Sequence, residues 1–355
     1  MRIALATDAW HPQVNGVVRT LNRVIVELEA QGHEVLTLHP GFFRTVAAPR
    51  YPEIRLSLLP GRRIAEMLEA FDPQAIHVAT EGPIGMAVRA RCLRRGVPFT
   101  TSYHTQFPHY IRRYFGVPEA VTWRFVRRFH APAQRTLAPT AGVVEALRAH
   151  GVVRAVPWCR GVDTALFRPV SPARKDLERP VFLYAGRVAV EKNIEAFLSA
   201  PLPGTKMVVG DGPARASLER RFPGVVWAGY RFGEELAAHY ACGDVFVFPS
   251  RTDTFGIVML EANACGLPVA AHPVTGPIDV VVPGISGALD EDLRTAALRA
   301  LEVPRATCIE YARGHSWRRC AEMFLAALAP IGAASPPEAS SLAAAPVAIS
   351  GSAAP

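Results

Sequence analysis

Lysine and long apolar runs are both scarce in this sequence. Only three of its 39 basic residues are lysines, namely Lys175, Lys192 and Lys206, so a lysine inside a motif carries more weight than an arginine there. No stretch approaches the roughly 18 to 20 apolar residues of a membrane-spanning helix, and the segment MRIALATDAW reaches Asp8 before a signal-type apolar run can form. We therefore expect a cytoplasmic protein, either free in solution or peripheral at the inner face of the plasma membrane.

Metal-binding cysteine patterns are also missing. The six cysteines form no CxxC pair and no Cys/His spacing suited to zinc; they are Cys92, Cys159, Cys242, Cys265, Cys308 and Cys320. Scattered thiols of this kind are typical of reduced, structural residues, so we predict neither disulfides nor a bound metal. For Cys265 we weigh a reactive thiol near a site against packing in a buried small-residue environment, and we favour packing.

The sequence does contain a large core and a repeated alternation of strands and helices. Half of its 355 residues are hydrophobic and the formal charge is +8, which predicts a globular protein of two domains. Apolar runs such as RIALAT alternate with helical periodicity, as in VVRTLNRVIVELEAQ, and the alternation restarts after a linker near residues 165–180. We predict an α/β protein with two Rossmann-like, doubly wound domains that face a central cleft.

The predicted boundaries follow from these patterns. We expect a first domain at residues 1–165, a second at 166–304, and helices at 305–330 that cross back to the first domain. The remaining segment, 331–355, is rich in Ala, Ser and Pro and cannot bury enough surface to order itself, so we predict a disordered tail.

A tight corner, SRTDTFGIVMLEA, follows the predicted strand DVFVFPS at 244–250. It sets Asp253 before a predicted helix at 257–265, which Gly266 and Pro268 end. Glu261 lies about one turn inside this helix, so both carboxylates can accept hydrogen bonds from one bound molecule. Backbone N–H groups of the first turn, from Phe255 to Val258, favour a phosphate, and Gly256 lets it approach closely. These features indicate a ribose or sugar beside a phosphate. Equally good at this point is the interpretation that Asp253 is an N-cap and Glu261 a surface residue.

A second loop, GRVAVEKN at 186–193, follows the predicted strand VFLYAG. It brings Arg187 and Lys192 to a strand's carboxyl end, where two cations can neutralise a diphosphate. The alternative is a solvated charge pair between Glu191 and Lys192. The scarcity of lysine favours the diphosphate site.

Three further loops complete the predicted cleft. VVGDGP offers Gly210 and Gly212 to a passing ligand, but it lacks the third glycine and the distal acid of a dinucleotide fingerprint, so we do not predict NAD. In the first half, Gly16 starts a helix, and SYHTQFP places His104 at a strand exit. For this histidine we favour contact with a substrate over a structural role.

GRVAVEKN, GDGP and SRTDTFGIVMLEA, in this order, resemble the donor-binding half of retaining glycosyltransferases of the GT-B fold, family 4. That group includes phosphatidylinositol mannosyltransferases and related lipid glycosyltransferases. NGVVRTL and SYHTQFP are similar to its acceptor-side loops, so the resemblance covers residues 1 to about 328. The family's pair of glutamates, eight positions apart, is here Asp253 and Glu261. The aspartate departs from the family's pattern, because it is one methylene shorter than glutamate.

The resemblance implies a role for each matching residue. Arg187 and Lys192 would hold the nucleotide diphosphate, Glu261 would take the ribose hydroxyls, and Asp253 would contact the transferred sugar. The implied donor-binding residues are Gly16, Gly186, Arg187, Lys192, Gly210, Asp253, Phe255, Gly256, Ile257, Val258 and Glu261. The implied catalytic residues are His104, Asp253, Arg187 and Lys192.

The implied reaction moves mannose, glucose or a related sugar from a GDP- or UDP-linked donor to an acceptor, with retention. We expect the acceptor to be a membrane lipid and expect no cofactor, because fixed cations and helix-end N–H groups stabilise the leaving diphosphate without a metal. The stretch DED at 290–292 is similar to a metal-binding DxD, but we expect it to open a helix without a preceding strand.

No nucleophile for a double displacement is evident, so we predict a front-face mechanism in which a diphosphate oxygen takes the acceptor's proton. Two alternatives stay open. One is transfer to a polysaccharide or other soluble acceptor, and the other is a nucleotide-sugar epimerase or binding protein of the same fold that transfers nothing.

Residues 108–135 carry six arginines against one acid, a local charge of +5, with aromatic residues interleaved. Basic and aromatic residues on one helix suit an anionic membrane surface, and equally an ordinary amphipathic helix with its aromatics in the core. We expect no nucleic-acid partner, since no nucleic-acid module accompanies the patch. The predicted membrane or acceptor contacts are Arg112, Arg113, Trp123, Arg124, Arg127 and Arg128.

Overall fold

The computed structural model describes residues 1–13, 15–48, 51–106, 108, 111–112 and 116–332. Within these residues the chain forms two parallel six-stranded sheets and one two-stranded hairpin. Helices cover both sheets, so the predicted α/β class is confirmed. Arg113 and nearly all of the predicted tail lie outside the described residues.

The first sheet belongs to the amino-terminal half. Its order is β2-β1-β5-β6-β7-β8, and its strands are β1 (Arg2–Ala6), β2 (Glu34–Leu38), β5 (Ala75–Val78), β6 (Thr100–Ser102), β7 (Thr136–Ala138) and β8 (Ala155–Pro157). The antiparallel hairpin joins β3 (Thr45–Ala48) to β4 (Tyr51–Ser57). The helices of this half include α1 (Gly16–Ala30), α2 (Gly61–Phe71), α3 (Pro83–Arg95), α4 (Glu119–His130) and α5 (Ala141–Ala149).

The second sheet has the order β11-β10-β9-β12-β13-β14. Its strands are β9 (Val181–Ala185), β10 (Thr205–Val209), β11 (Val226–Gly229), β12 (Val245–Phe248), β13 (Val269–Ala271) and β14 (Gly287–Leu289). Its helices are α6 (Ile194–Ser199), α7 (Arg215–Arg221), α8 (Gly233–Tyr240), α9 (Ile257–Ala264), α10 (Pro277–Val280), α11 (Leu293–Ala300) and α12 (Arg305–Arg313). Renumbered within this half, the order is three-two-one-four-five-six, the doubly wound arrangement.

Local sequence explains the elements that border the cleft. The side chain of Asn15 accepts hydrogen bonds from the backbone N–H groups of Val17 and Val18, which starts α1. All five residues of β9 and all four of β12 are buried, because helices cover both faces of a parallel sheet. In each sheet the strand order reverses beside the first strand of the half, at β1/β5 and at β9/β12, and ligands bind at such points.

The last helix among the described residues, α13 (Trp317–Ala327), returns from the second half and packs against α1. Trp158, at the end of β8, is fully buried and donates its indole N–H to the carbonyl of Cys320 at 2.9 Å. Beyond α13, the N–H of Ile331 donates to the carbonyl of Gln74 at 2.8 Å. The core therefore continues from one half into the other. The exact domain boundaries stay a prediction.

Candidate active site

The loops that leave β9 and β12 are joined by a charged pair. Lys192 ends a short 3₁₀ turn, and its Nζ donates to Oδ1 of Asp253 at 2.6 Å. The two side chains are 23% and 18% exposed, so the pair is enclosed but reachable. Asn193, the next residue, donates its amide to the carbonyl of Pro249 at 3.0 Å, which fixes one loop against the other. The structure thus brings together two residues that are 61 positions apart in the chain.

The N-cap interpretation of Asp253 is wrong, and Glu191 and Lys192 do not form a solvated charge pair. Asp253 is not the N-cap of α9, because the cap is Gly256, whose φ of 86° lies in the left-handed region and which makes no side-chain cap bond. Lys192 pairs with Asp253 across the loops, and Glu191 is itself buried. Among the described residues, none donates a hydrogen bond to the buried Oδ2 of Asp253. That oxygen is a buried acceptor whose hydrogen bond is not made within the described residues.

Glu261 lies inside α9 and is 1% exposed, so it is not a surface residue. Its Oε1 accepts a hydrogen bond from Nη1 of Arg19, and its Oε2 accepts one from the hydroxyl of Tyr240 at 3.2 Å. The charge of Glu261 raises the pKa of Arg19 above its usual value. Sequence reasoning missed both partners. For Arg19 a signal existed, since it lies one turn after Gly16 in the helix predicted to face the cleft.

The start of α9 meets the first half of the molecule. A Cβ atom added at Gly16 would lie 4.0 Å from Cδ1 of Ile257, so the start of α1 and the start of α9 are close together. Phe255 and Ile257 point into the core, with 8% and 9% exposure. Their side chains therefore pack, and only backbone groups of this turn, together with Val258, are left for a ligand.

Close backbone packing requires glycine at Gly210 in the second half. Gly210, at a φ of 145°, donates its N–H to the carbonyl of Gly229 at 2.8 Å. A Cβ at Gly210 would lie 1.9 Å from the carbonyl oxygen of Gly186. Close packing of the two predicted donor-binding loops therefore excludes larger residues at Gly210. Arg187 is half-buried beside Gly186, and the hydroxyl of Tyr184 donates to its carbonyl at 2.9 Å.

His104 is held on both ring nitrogens by protein groups. Nε2 lies 2.8 Å from Oγ of Ser102, and Nδ1 lies 3.4 Å from Nη2 of the buried Arg160. Because arginine only donates, Nδ1 is the acceptor and the ring is neutral. Burial, and after it the charge of Arg160, holds the pKa of His104 well below its usual range. Its carbonyl accepts from Oγ1 of Thr254 at 2.8 Å, which joins the halves. Contact between His104 and a sugar stays a prediction.

The helix α4 divides its residues between core and surface. Val126 and Phe129 are buried, and Trp123 is half-buried and stacks on His150 at a centroid distance of 3.8 Å. On the opposite side, Val121 and Phe125 are 59% and 41% exposed. Three exposed arginines accompany them and form what we call the basic face: Arg124, Arg127 and Arg128. Arg112 is exposed and donates to Glu119 at 3.0 Å.

The DED stretch does follow a strand, contrary to expectation. β14 ends at Leu289, immediately before Asp290, and is too short at three residues for its pattern to be recognised. The aspartates of the DED stretch have hydrogen-bond partners within the protein. Asp290 accepts from Arg299 at 3.0 Å, and Asp292 accepts from the backbone N–H groups of Arg294 and Thr295 as the cap of α11. Within the part of the chain that the structure describes, no group of three or more acidic, His or Cys residues could hold a metal.

The thiols and helices add two findings. All six cysteines are free, and burial raises the pKa of Cys265 to about 12, which agrees with packing at that position. Among the described helices, none is long and apolar enough to cross a membrane.

Two doubly wound sheets with a charged cleft between their carboxyl edges define the class of the molecule. It has the two-domain GT-B architecture. The solved sucrose-phosphate synthase from Thermosynechococcus elongatus has the same fold, with a TM-score of 0.74 and 21% identity over 92% of this chain and 97% of that one.

Family comparisons give the narrower assignment. Residues 14–166 match the profile of Glycosyltransferase Family 4, and residues 179–302 match Glycosyl transferases group 1. The chain is 34% identical to a GDP-mannose-dependent alpha-mannosyltransferase of Mycobacterium tuberculosis over 81% of this chain and 83% of that protein. It is 27% identical to the alpha-monoglucosyldiacylglycerol synthase of Streptococcus pneumoniae, over 85% and 78%. The chain belongs to glycosyltransferase family 4, and the predicted family, fold and nucleotide-sugar transferase activity are confirmed.

Proposed function

We propose that this enzyme transfers mannose from GDP-mannose to a lipid acceptor at a membrane surface, with retention of configuration. The donor assignment is supported by the mycobacterial relative, whose name gives GDP-mannose as its donor. The acceptor assignment is supported by the streptococcal relative, whose name gives a glycosylated diacylglycerol as its product.

The observation that carries the donor site is the pair formed by Lys192 and Asp253. A lysine at the carboxyl end of β9 suits a diphosphate, which would share or replace Asp253 as its partner. Asp253 then has its Oδ2 available for a hydroxyl of the transferred sugar. Arg187 supplies a second cation in the same loop, and the backbone of the first turn of α9 adds N–H donors.

The chemistry we propose needs no protein nucleophile. The bond from the anomeric carbon to the diphosphate oxygen breaks, and the acceptor oxygen bonds to the same face of that carbon. The proton of the acceptor hydroxyl passes to the departing diphosphate oxygen. Lys192 and Arg187 stabilise the negative charge that grows on this oxygen, which lowers the barrier without proton transfer to the protein.

The acceptor side is supported by the basic face. Its three arginines stand beside the exposed Val121 and Phe125, a combination suited to anionic headgroups with shallow apolar contact. Trp123 belongs largely to the core, so we propose that it holds α4 in place and does not meet lipid. A peripheral position at the inner face of the membrane follows from this proposal.

The test is a transfer assay with labelled GDP-mannose, UDP-glucose and UDP-galactose, using a total lipid extract in detergent as acceptor. We expect label to enter the organic phase from GDP-mannose at least tenfold faster than from either UDP-sugar, and we expect NMR to find an α-linkage in the product. Asp253→Asn should abolish transfer, whereas Lys175→Ala, at an exposed lysine, should not.

Three outcomes would overturn parts of the proposal. Preference for a UDP-sugar would refute the donor. Label found only in water-soluble glycans would refute the lipid acceptor. Donor consumption without any acceptor product would favour an epimerase or a binding protein.

A further inference from the structure

A cross-cleft ion pair holds the carboxylate expected to receive the donor ribose. Arg19 extends from α1 in the first half to Glu261 in α9 of the second, 242 positions away. Their side chains are 38% and 2% exposed. The cation is therefore reachable from the cleft, while the carboxylate is almost fully enclosed.

The geometry leaves part of this carboxylate free to bind. Arg19 donates to one oxygen and Tyr240 to the other. An ionised carboxylate has about four lone-pair sites, so each oxygen can still accept one more hydrogen bond. The pair also borders a cavity of about 110 Å³ lined in part by Arg23 and Asp163, so open space lies beside it.

The burial of Glu261 makes the loss of Arg19 costly. Removal of the cation beside a carboxylate as enclosed as Glu261 is costly, because a buried charge is left unpaired. Within the described residues, Arg19 is the only cation in ion-pair contact with Glu261. Tyr240 cannot replace it, since its hydroxyl is neutral.

We propose that Arg19 is a donor-positioning residue, which holds the Glu261 carboxylate turned so that its remaining lone pairs accept the two ribose hydroxyls of the nucleotide sugar. Because Arg19 belongs to the opposite half, nucleotide affinity depends on contact between the halves even though the nucleotide lies against the second. This inference rests on the proposed donor site.

The opposite edge of the second sheet offers a matched control. Arg305, at the start of α12, forms an ion pair with Asp244, just before β12, at 2.9 Å. Its side chain is 47% exposed, against 38% for Arg19. Arg305→Gln therefore removes an ion pair between two segments without touching Glu261 or the cavity beside it.

The experiment is calorimetric titration of the full chain with GDP or UDP, whichever the wild type binds more tightly, and with its 2′,3′-dideoxy analogue. We expect the wild type to lose at least tenfold in affinity for the analogue. Arg19→Gln should bind the normal nucleotide roughly 10- to 100-fold more weakly and should no longer distinguish it from the analogue. Arg305→Gln should keep both properties, and Arg19→Lys should recover part of the affinity.

Thermal unfolding separates binding from folding, since a variant that merely weakens the structure loses melting temperature but still discriminates against the analogue. Full discrimination by Arg19→Gln, or equal losses in Arg19→Gln and Arg305→Gln, would overturn the role of Arg19 alone. A wild type that binds none of these nucleotides would instead overturn the donor site and this inference with it.

Discussion

Replacing Lys192 by alanine tests the donor site most directly. Its Nζ lies 2.6 Å from Oδ1 of Asp253, in a pair whose side chains are about four-fifths enclosed. The substitution removes the cation proposed to meet the diphosphate. It also leaves the carboxylate of Asp253 without its partner and close to the incoming phosphates, so repulsion adds to the lost attraction.

The expected size of the effect follows from this enclosure. Truncating one member of a hydrogen-bonded, largely buried charge pair costs about 2 to 4 kcal/mol. Since about 1.4 kcal/mol is a factor of ten, nucleotide diphosphate should bind Lys192→Ala about 30- to 1000-fold more weakly than the wild type. An exposed ion pair would cost at most about 1 kcal/mol, so the two cases are clearly separable.

The assay is titration of each variant with GDP and UDP, alongside the transfer rate at saturating acceptor. Lys192→Arg keeps the charge but cannot repeat the point contact, so we expect an intermediate loss. Lys175→Ala is the control for removing one positive charge at an exposed site. If Lys192→Ala bound nucleotide within threefold of the wild type while remaining folded, the diphosphate site would be refuted.

Three further predictions concern the rest of the molecule. Reversing the three arginines of the basic face to glutamate should cost about 1 kcal/mol for each lost positive charge at an anionic surface, hence at least 100-fold in binding to phosphatidylglycerol vesicles by sedimentation; unchanged binding would remove α4 from the membrane. Cys159 should be alkylated by iodoacetamide before the other thiols, because a hydrogen bond with the thiol of Cys320 lowers its pKa; peptide mass mapping that finds another cysteine modified first would contradict this. Burial lowers the pKa of His77 to about 3 in the folded protein, so the unfolded chain takes up the proton first, and stability should fall below pH 6.5 by up to about 1.4 kcal/mol per pH unit until pH 3. His77→Gln should flatten that acid branch of the melting curve, and an unaltered slope would show that other groups cause it.

The sequence predicts well where local pattern and local chemistry agree. The apolar run at 244–250 and the helix at 257–265 match β12 and α9 within two residues at either end. They are found because a buried parallel strand is apolar throughout and because a glycine and a proline mark the end of the helix. The family resemblance also predicts the fold, because its motifs lie at the carboxyl ends of strands that are recognised in this way.

Side-chain contacts between distant elements could not be predicted from the sequence. The pairing of Glu261 with Arg19 and Tyr240 joins α9 to a helix 242 residues earlier and to another 21 residues earlier. No spacing rule connects such positions, because sheet order and the contact between halves decide them. β14 escaped recognition for another reason, since three residues give no period, and the DED stretch was misplaced with it.

The return of α13 to the first half has a consequence for engineering. Trp158 and Cys320 share one hydrogen bond in the core although they flank the whole second sheet in sequence. In effect the second half, proposed to bind the nucleotide, is an insertion between β8 and α13. A chimera meant to exchange donor preference should therefore graft one continuous insert, from about β9 to α12, and leave the host its own final helix. A simple fusion of the first half of one protein to the second half of another would place a foreign α13 in the core of the first half.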